Sequence, residues 1–266
     1  MIKVVAFDMD GTFLNSQNDY DRERFDRNFK ALRERGIEVV AISGNQYYQI
    51  KSFFEGYLQD MTIAAEGGTQ IYERGKRIKY DAYEEELIDQ VIQLIEDKGL
   101  SHCAALAGLD SVYYLESADP DFKKTISKYS YVHRSIPSWG DRPEDPISQV
   151  TLNLGKEDVL PLVATFNEHG QGKIRAVPSG NGFIDLTLAN VSKGTAMAYL
   201  GHRWGVSPEE MMAFGDSGND LEMLELVGAS YAMKGSPTYV YQAAKFEAPS
   251  NDESGVLVVI EKEILN

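Results

Sequence analysis

The residues with the most evident chemistry are two aspartates, Asp8 and Asp10, which follow an apolar run over residues 3–7 and precede Gly11. Side chains two positions apart at a strand end point the same way, so both carboxylates project toward one site. Gly11 permits a tight turn there that a side chain would obstruct. Two carboxylates held this close resist joint ionisation unless a cation lies between them or their roles differ. A hard divalent ion with oxygen ligands meets that need, and Mg2+ commonly binds through one or two carboxylates plus a substrate phosphate. Asp216, in the run Gly215-Asp216-Ser217-Gly218-Asn219-Asp220, adds a third carboxylate behind another apolar stretch. Four scattered histidines (His102, His133, His169, His202) and a single cysteine, Cys103, offer no soft-metal spacing. Mg2+ is therefore the expected ion.

Such residues need a scaffold that brings distant strand ends together. Residues 21–35 carry Phe25, Phe29 and Leu32 at helical spacing before the stop signal Gly36, and 37–42 form a second apolar strand ending in Ser43-Gly44-Asn45. A helix over 46–55 and a strand over 62–65, ending in Glu66-Gly67-Gly68, complete a βαβαβ alternation. That alternation predicts a parallel sheet with covering helices. From about 84 to 182 the pattern changes to a helix over 84–98, alternating strands such as 148–154, and breaks at Pro120, Pro143 and Pro146. After Gly180-Asn181-Gly182 the first pattern resumes, with a helix over 193–203, a strand over 211–214, a helix over 220–226 and a strand over 229–233. The expected fold class is α/β: a doubly wound parallel-sheet (Rossmann-like) core in two pieces, 1–82 and 184–266, with an inserted α+β cap domain over 83–183. Ligands of open parallel sheets bind outside the carboxyl ends of the strands. Residues 8–12, 43–45 and 215–220 are thus expected to converge.

Composition narrows the partners. The chain has 266 residues, 43% of them hydrophobic, and a formal net charge of −15. Nucleic-acid binders displace counterions with Lys and Arg, so neither nucleic acid nor an anionic membrane surface is an expected partner. No apolar run approaches the roughly 20 residues that cross a bilayer. A lone cysteine and a strand pattern beginning at the first residues suggest a reducing, cytoplasmic setting. A chain this acidic must draw in any anionic ligand through local positive charge, from a metal ion or a placed lysine.

The motifs together carry a resemblance. Asp8-Met9-Asp10-Gly11-Thr12 resembles the first motif of haloacid-dehalogenase-like phosphatases, and Ser43 stands where their second motif has Ser or Thr. Lys193, in Val191-Ser192-Lys193-Gly194, matches the third motif, and the run from Gly215 to Asp220 the fourth. The insertion between motifs two and three lies where the Cof-type subclass IIB carries its large cap. Ser43-Gly44-Asn45-Gln46 is similar to the form in a bacterial sugar phosphatase of that group. The resemblance implies that Asp8 attacks phosphorus to form an aspartyl-phosphate, and that Asp10 protonates the leaving oxygen and then activates water. It implies Mg2+ held by Asp8, the backbone carbonyl of Asp10 and Asp216. Ser43, the Gly44 amide, Lys193 and Asn219 would bind the phosphoryl group, and Asp220 would orient Lys193 or a metal-bound water. The implied substrate is a small phosphorylated metabolite, foremost a hexose or pentose phosphate, with flavin and sugar-alcohol phosphates as further candidates. The same residues would serve a sugar phosphomutase or phosphotransferase.

Plainer readings accompany each residue. Asp-x-Asp is often a solvated turn, Lys193 a surface charge, and Ser43 a helix cap with Gln46 three residues on as in a capping box. Ser192 is a further helix-cap candidate. Tyr47, Tyr48, Phe53 and Phe54 are expected to pack into the core or against the cap, Cys103 to be a small buried residue, and residues 84–86 to form a solvated helix start. Asn45 replaces a frequent Arg, and Glu66-Gly67 stands where an Asn-Gly step is common, which removes a cation and puts in doubt a polar contact. Residues 179–182 are the candidate moving or substrate-facing element. A non-enzymatic phospho-receiver also places acids, Ser/Thr and Lys at strand ends, but it has its phosphorylated Asp mid-domain and no cap of about a hundred residues.

Overall fold

Every residue of β1 (Val4–Phe7) is buried, as a central parallel strand covered on both faces requires. In the computed structural model, which describes residues 1–155 and 159–265, this strand is followed by α1 (Arg22–Glu34), β2 (Glu38–Ile42), α2 (Tyr47–Phe53), β3 (Thr62–Ala65), β4 (Gln70–Glu73) and β5 (Lys76–Tyr80). The middle of the chain forms α3 (Glu85–Asp97), β6 (Ala104–Gly108), β7 (Val112–Leu115), α4 (Pro120–Tyr129), β8 (His133–Ile136), β9 (Ile147–Asn153), α5 (Leu160–His169), β10 (Ile174–Pro178) and β11 (Phe183–Leu188). It closes with α6 (Lys193–Trp204), β12 (Met211–Gly215), α7 (Leu221–Leu226), β13 (Ala229–Met233), α8 (Thr238–Ala243), β14 (Phe246–Ala248) and α9 (Gly255–Ile260).

The first sheet has the order β14-β13-β12-β1-β2-β3-β4-β5. It is parallel from β14 to β3, and the edge hairpin β4–β5 is antiparallel. The chain winds outward from β1 to β3, then returns to β12 on the other side of β1. The winding therefore reverses between β1 and β12, and Asp8 and Asp216 follow those two strands. Alternation along the strands divides the core: Val5, Phe7, Val39 and Ala41 pack with Phe25, Phe29 and Leu32 of α1 and Leu257 of α9. Val4, Ala6, Val40 and Ile42 pack with Ala196, Met197 and Leu200 of α6 and Met223 of α7. Asp21 caps α1 by accepting from the Arg24 amide, and Ser192 caps α6 in a reciprocal box with Thr195.

The second sheet has the order β10-β11-β9-β6-β7-β8 and a separate apolar core in which Ile88, Val91, Ile92 and Ile95 of α3 meet Leu106, Val150, Leu152 and Leu186. β11 pairs with β9 and β10, so the second sheet extends to Leu188, past the division at 183/184 expected from the glycine-rich turn. Hydrophobic period alone does not say which sheet a strand joins. Cys103 is buried and residues 84–86 are exposed. Two expectations are corrected. Ser43 does not cap α2: the cap position is Gln46, and Ser43 Oγ accepts from the Asn45 amide at 3.2 Å. Tyr48 is 41% exposed, because the short α2 turns only one face, Tyr47 and Ile50, toward the core.

Candidate active site

The fold brings the carboxyl ends of β1, β2 and β12 together beneath the second sheet. Lys193, at the first turn of α6, is 1% exposed, and its Nζ donates to Asp8 Oδ1 at 2.5 Å and Asp220 Oδ1 at 2.6 Å. Burial alone would lower its pKa, yet the Asp220 and Asp8 carboxylates outweigh that and hold the ammonium above its usual range. Asp220 is saturated, since its Oδ2 also accepts from the amides of Asp216 and Ser217, both at 2.9 Å. Asp216 Oδ1 accepts from Thr12 Oγ1 at 2.8 Å. A Cβ on Gly11, whose φ is +80°, would stand 2.5 Å from Asp216 Oδ2, so this glycine is what lets the two strand ends close up.

Oxygens of Asp8, Asp216 and Asp220 lie within 4.8 Å of one another. Burial raises Asp8 well above the carboxylate range despite Lys193, and the Asp220 and Asp216 charges add to the rise. Asp216 is pushed to about 7 by burial and then by the Asp220 charge. Carboxylates that burial and mutual repulsion hold back from ionising fit a hard cation, whose positive charge offsets both causes. With Asp220 engaged at both oxygens, Asp8 and Asp216 are the better donors. Asp10 is raised by burial, partly countered by a hydrogen bond from Asn45, whose Nδ2 lies 2.5 Å from Asp10 Oδ2.

Asp8, Asp10, Ser43, Gly44, Asn45 and Asn219 form the floor of a cleft of about 760 Å³, counting the space that opens to solvent. Lys193 borders a smaller adjoining cavity, shared with Asp185 and Asn219. Asn219 Oδ1 accepts from Ser217 Oγ at 2.7 Å, which leaves its amide hydrogens to face Gly44. The roof belongs to the second sheet. Thr151 pairs with Asp185 across β9 and β11 and with Ala105 across β9 and β6, while Gln149 pairs with Ala107, so these five residues share the face that lines the cleft. Ser179 and Asn181, in the turn expected to face a substrate, line it too. Burial lifts Asp185 to about 6, against hydrogen bonds from Ser179 and Thr151. Burial likewise lifts Glu66 to about 7, against bonds from Ser148 and Gln70. Glu66 has φ of 51°, a left-handed conformation that a non-glycine residue holds only when its surroundings enforce it.

The two sheets are clasped across the cleft. The Gln46 side chain bonds the Val132 backbone twice, Nε2 to the carbonyl at 2.8 Å and Oε1 from the amide at 3.0 Å. Ser148 Oγ reaches Glu66 Oε2 at 2.6 Å, and Arg175 pairs with Glu222 at 2.5 Å. Sequence reasoning did not single out Gln149 or Asp185, and gave Gln46 only a capping role. A polar residue inside an apolar strand pattern, as in Phe183-Ile184-Asp185-Leu186, was the signal available for the last.

Residues 5–260 match the profile of the haloacid dehalogenase-like hydrolases. The chain belongs to that family. It is 36% identical over 262 residues to the Escherichia coli (strain K12) 5-amino-6-(5-phospho-D-ribitylamino)uracil phosphatase YbjI, covering 98% of this chain and 96% of that one. It superposes on the crystal structure of SMU.1108c from Streptococcus mutans UA159 with a TM-score of 0.95 at 35% identity, covering all of both chains. Its fold, core and cap together, is also that of the subclass IIB sugar phosphatase BT4131, with a TM-score of 0.81 at 18% identity over 98% of each chain. The protein is thus a haloacid dehalogenase-like enzyme of the Cof type, among relatives named as phosphatases. Among the described residues no helix is long and apolar enough to cross a membrane.

Proposed function

We propose that the protein is a Mg2+-dependent phosphatase of small phosphorylated metabolites, sugar phosphates foremost, with Asp8 as covalent nucleophile. The observation that carries this reading is the buried Lys193–Asp8 pair at 2.5 Å, set at the strand ends where the winding of the sheet reverses and under a cleft with a polar roof. Asp8 and Asp216, with the backbone carbonyl of Asp10, would hold Mg2+, which would supply positive charge against the phosphoryl oxygens. Ser43 Oγ, the Gly44 amide, Asn219 and Lys193 bind those oxygens and set phosphorus in line with Asp8. An Asp8 oxygen bonds to phosphorus as the bond to the leaving oxygen breaks, and Asp10, whose burial favours the protonated acid, gives that oxygen its proton. Asp10 then takes a proton from water as the water oxygen displaces Asp8 from phosphorus, releasing inorganic phosphate and restoring the aspartate. Asn45 holds Asp10 toward this exchange. The clasped roof excludes bulk water and leaves room for a metabolite rather than a phosphoprotein.

The test is a phosphate-release screen across phosphorylated metabolites with Mg2+, repeated with a chelator. Turnover should need the metal, and Asp8→Asn should remove it. Substantial residual turnover in Asp8→Asn would refute covalent catalysis by this residue.

A further inference from the structure

The cleft holds two hydrogen-bond acceptors with nothing to accept, one on Glu66 directly after β3 of the first sheet and one on Gln149 in β9 of the roof. Glu66 and Gln149 are each 2% exposed and both line the cleft. Neither Glu66 Oε1 nor Gln149 Oε1 has a hydrogen-bond partner among the described residues. Buried polar atoms are ordinarily paired, so unpaired acceptors on two residues that line one cavity point to a ligand that pairs them.

The surrounding network decides what those atoms are. Gln149 Nε2 donates to Thr151 Oγ1 at 3.1 Å and to the Gly44 carbonyl at 3.4 Å. Thr151 gives its own hydrogen to Asp185 Oδ1 at 3.1 Å, so toward Gln149 it acts as acceptor. A flipped Gln149 amide would lose both bonds, which keeps Oε1 as the free atom. Glu66 Oε2 accepts from Ser148 Oγ at 2.6 Å and Gln70 Nε2 at 2.7 Å, which leaves Oε1. The small side chains of Ala105 and Ala107, opposite Thr151 and Gln149 in the register, leave space beside the acceptors.

We propose that Glu66 and Gln149 form the subsite that reads the leaving group, accepting hydrogen bonds from the hydroxyls of a polyol or sugar chain. The proposal rests on the phosphatase reading for the phosphate end of that ligand. A chain without hydroxyls would leave both oxygens buried and unpaired, and a site built around a hydroxyl rejects the analogue that lacks it. Gln149 also touches the Gly44 carbonyl, so this subsite adjoins the proposed phosphate loop.

The experiment titrates full-length Asp8→Asn protein, with Mg2+ at pH 8, with ribitol 5-phosphate and with pentyl phosphate, a five-carbon ester without hydroxyls. At this pH Glu66, lifted to about 7, is ionised. Ribitol 5-phosphate should bind at least about tenfold more tightly. Adding Gln149→Leu, or Gln149→Met of nearly the same shape should the first variant misfold, should erase most of that preference. Equal affinities for the two esters in the parent, or an unchanged preference in a folded variant, would overturn the proposal. Phosphate release from ribitol 5-phosphate by the wild type is read separately. A preference that Gln149→Leu erases supports the subsite even where the wild type releases no phosphate, a result that would count against the phosphatase reading alone.

Discussion

Floor and roof of the cleft are both buried and polar, yet they are built in opposite ways. On the floor, charge meets charge: Lys193 lies between Asp8 and Asp220 at 2.5 and 2.6 Å. On the roof Asp185, and facing it at the end of β3 Glu66, have no salt-bridge partner among the described residues; their bonds come from Ser179 and Thr151, and from Ser148 and Gln70. Burial accordingly holds them at about 7 and about 6. The difference bears on function. Fixed charges act over several ångströms on any phosphoryl group, whatever is attached to it. Directional acceptors act only at contact and discriminate by the presence of a donor. Chemistry is thereby assigned to the charged centre around Lys193, and selectivity to neutral contacts where the two sheets face each other.

The comparison can be broken first at the floor. Asp8→Asn should lower phosphate release by at least about 10^4-fold while circular dichroism shows the fold intact. Lys193→Met leaves two buried carboxylates facing each other, and should cost about 3–5 kcal/mol in urea unfolding besides abolishing turnover. A fully stable Lys193→Met protein would mean that the floor is not held by this ion pair. Between floor and roof, Gln46→Ala removes the double bond to Val132 and should raise KM several-fold with a smaller change in kcat, since the clasp governs closure rather than bond-breaking. Hydrogen exchange at the Val132 amide should accelerate in parallel.

The smallest effect concerns Glu66 and pH. The folded pKa of Glu66, about 7, lies above its ordinary value of 4.5, so the folded protein binds this proton more tightly than the unfolded chain. The metal-free protein therefore has the full contribution of protonated Glu66 below about pH 4.5 and loses it as pH rises toward 7, by about 1–3 kcal/mol. Glu66→Gln cannot ionise and should lack that part of the slope. Parallel stability–pH curves for wild type and Glu66→Gln would show that burial does not penalise this carboxylate.

Much of the floor was legible because short-range patterns encode it. Val4–Phe7 reads as a buried strand from its apolar run, and Asp8, Ser43 and Asp216 were each marked as polar residues directly after such a strand. The roof was not legible in the same way. Gln149 lies in a strand recognised from its alternation, but whether its face looked onto solvent or onto a cleft depends on where the second sheet docks. Gln46 was read as part of a capping box because its spacing from Ser43 suits one. The actual bond runs to Val132, and no local pattern specifies a partner that distant. Asp185 falls in β11, a strand whose sheet is chosen by pairing with β9, and periodicity does not reveal that Phe183 stands opposite Asn153.

By itself the sequence determined the alternation of strands and helices, the interruption by a cap, and which carboxylates and lysine stand ready for phosphoryl chemistry, because period, turn residues and strand-end motifs are local properties of the chain. Only the tertiary structure decided that Lys193 is buried between Asp8 and Asp220, that Asn45 holds Asp10, and that Glu66 and Gln149 line the cleft with an unpaired acceptor each. Those facts depend on how distant strand ends converge and how the two separately packed sheets meet, and burial, which sets the charge and pairing of each group, exists only once they do.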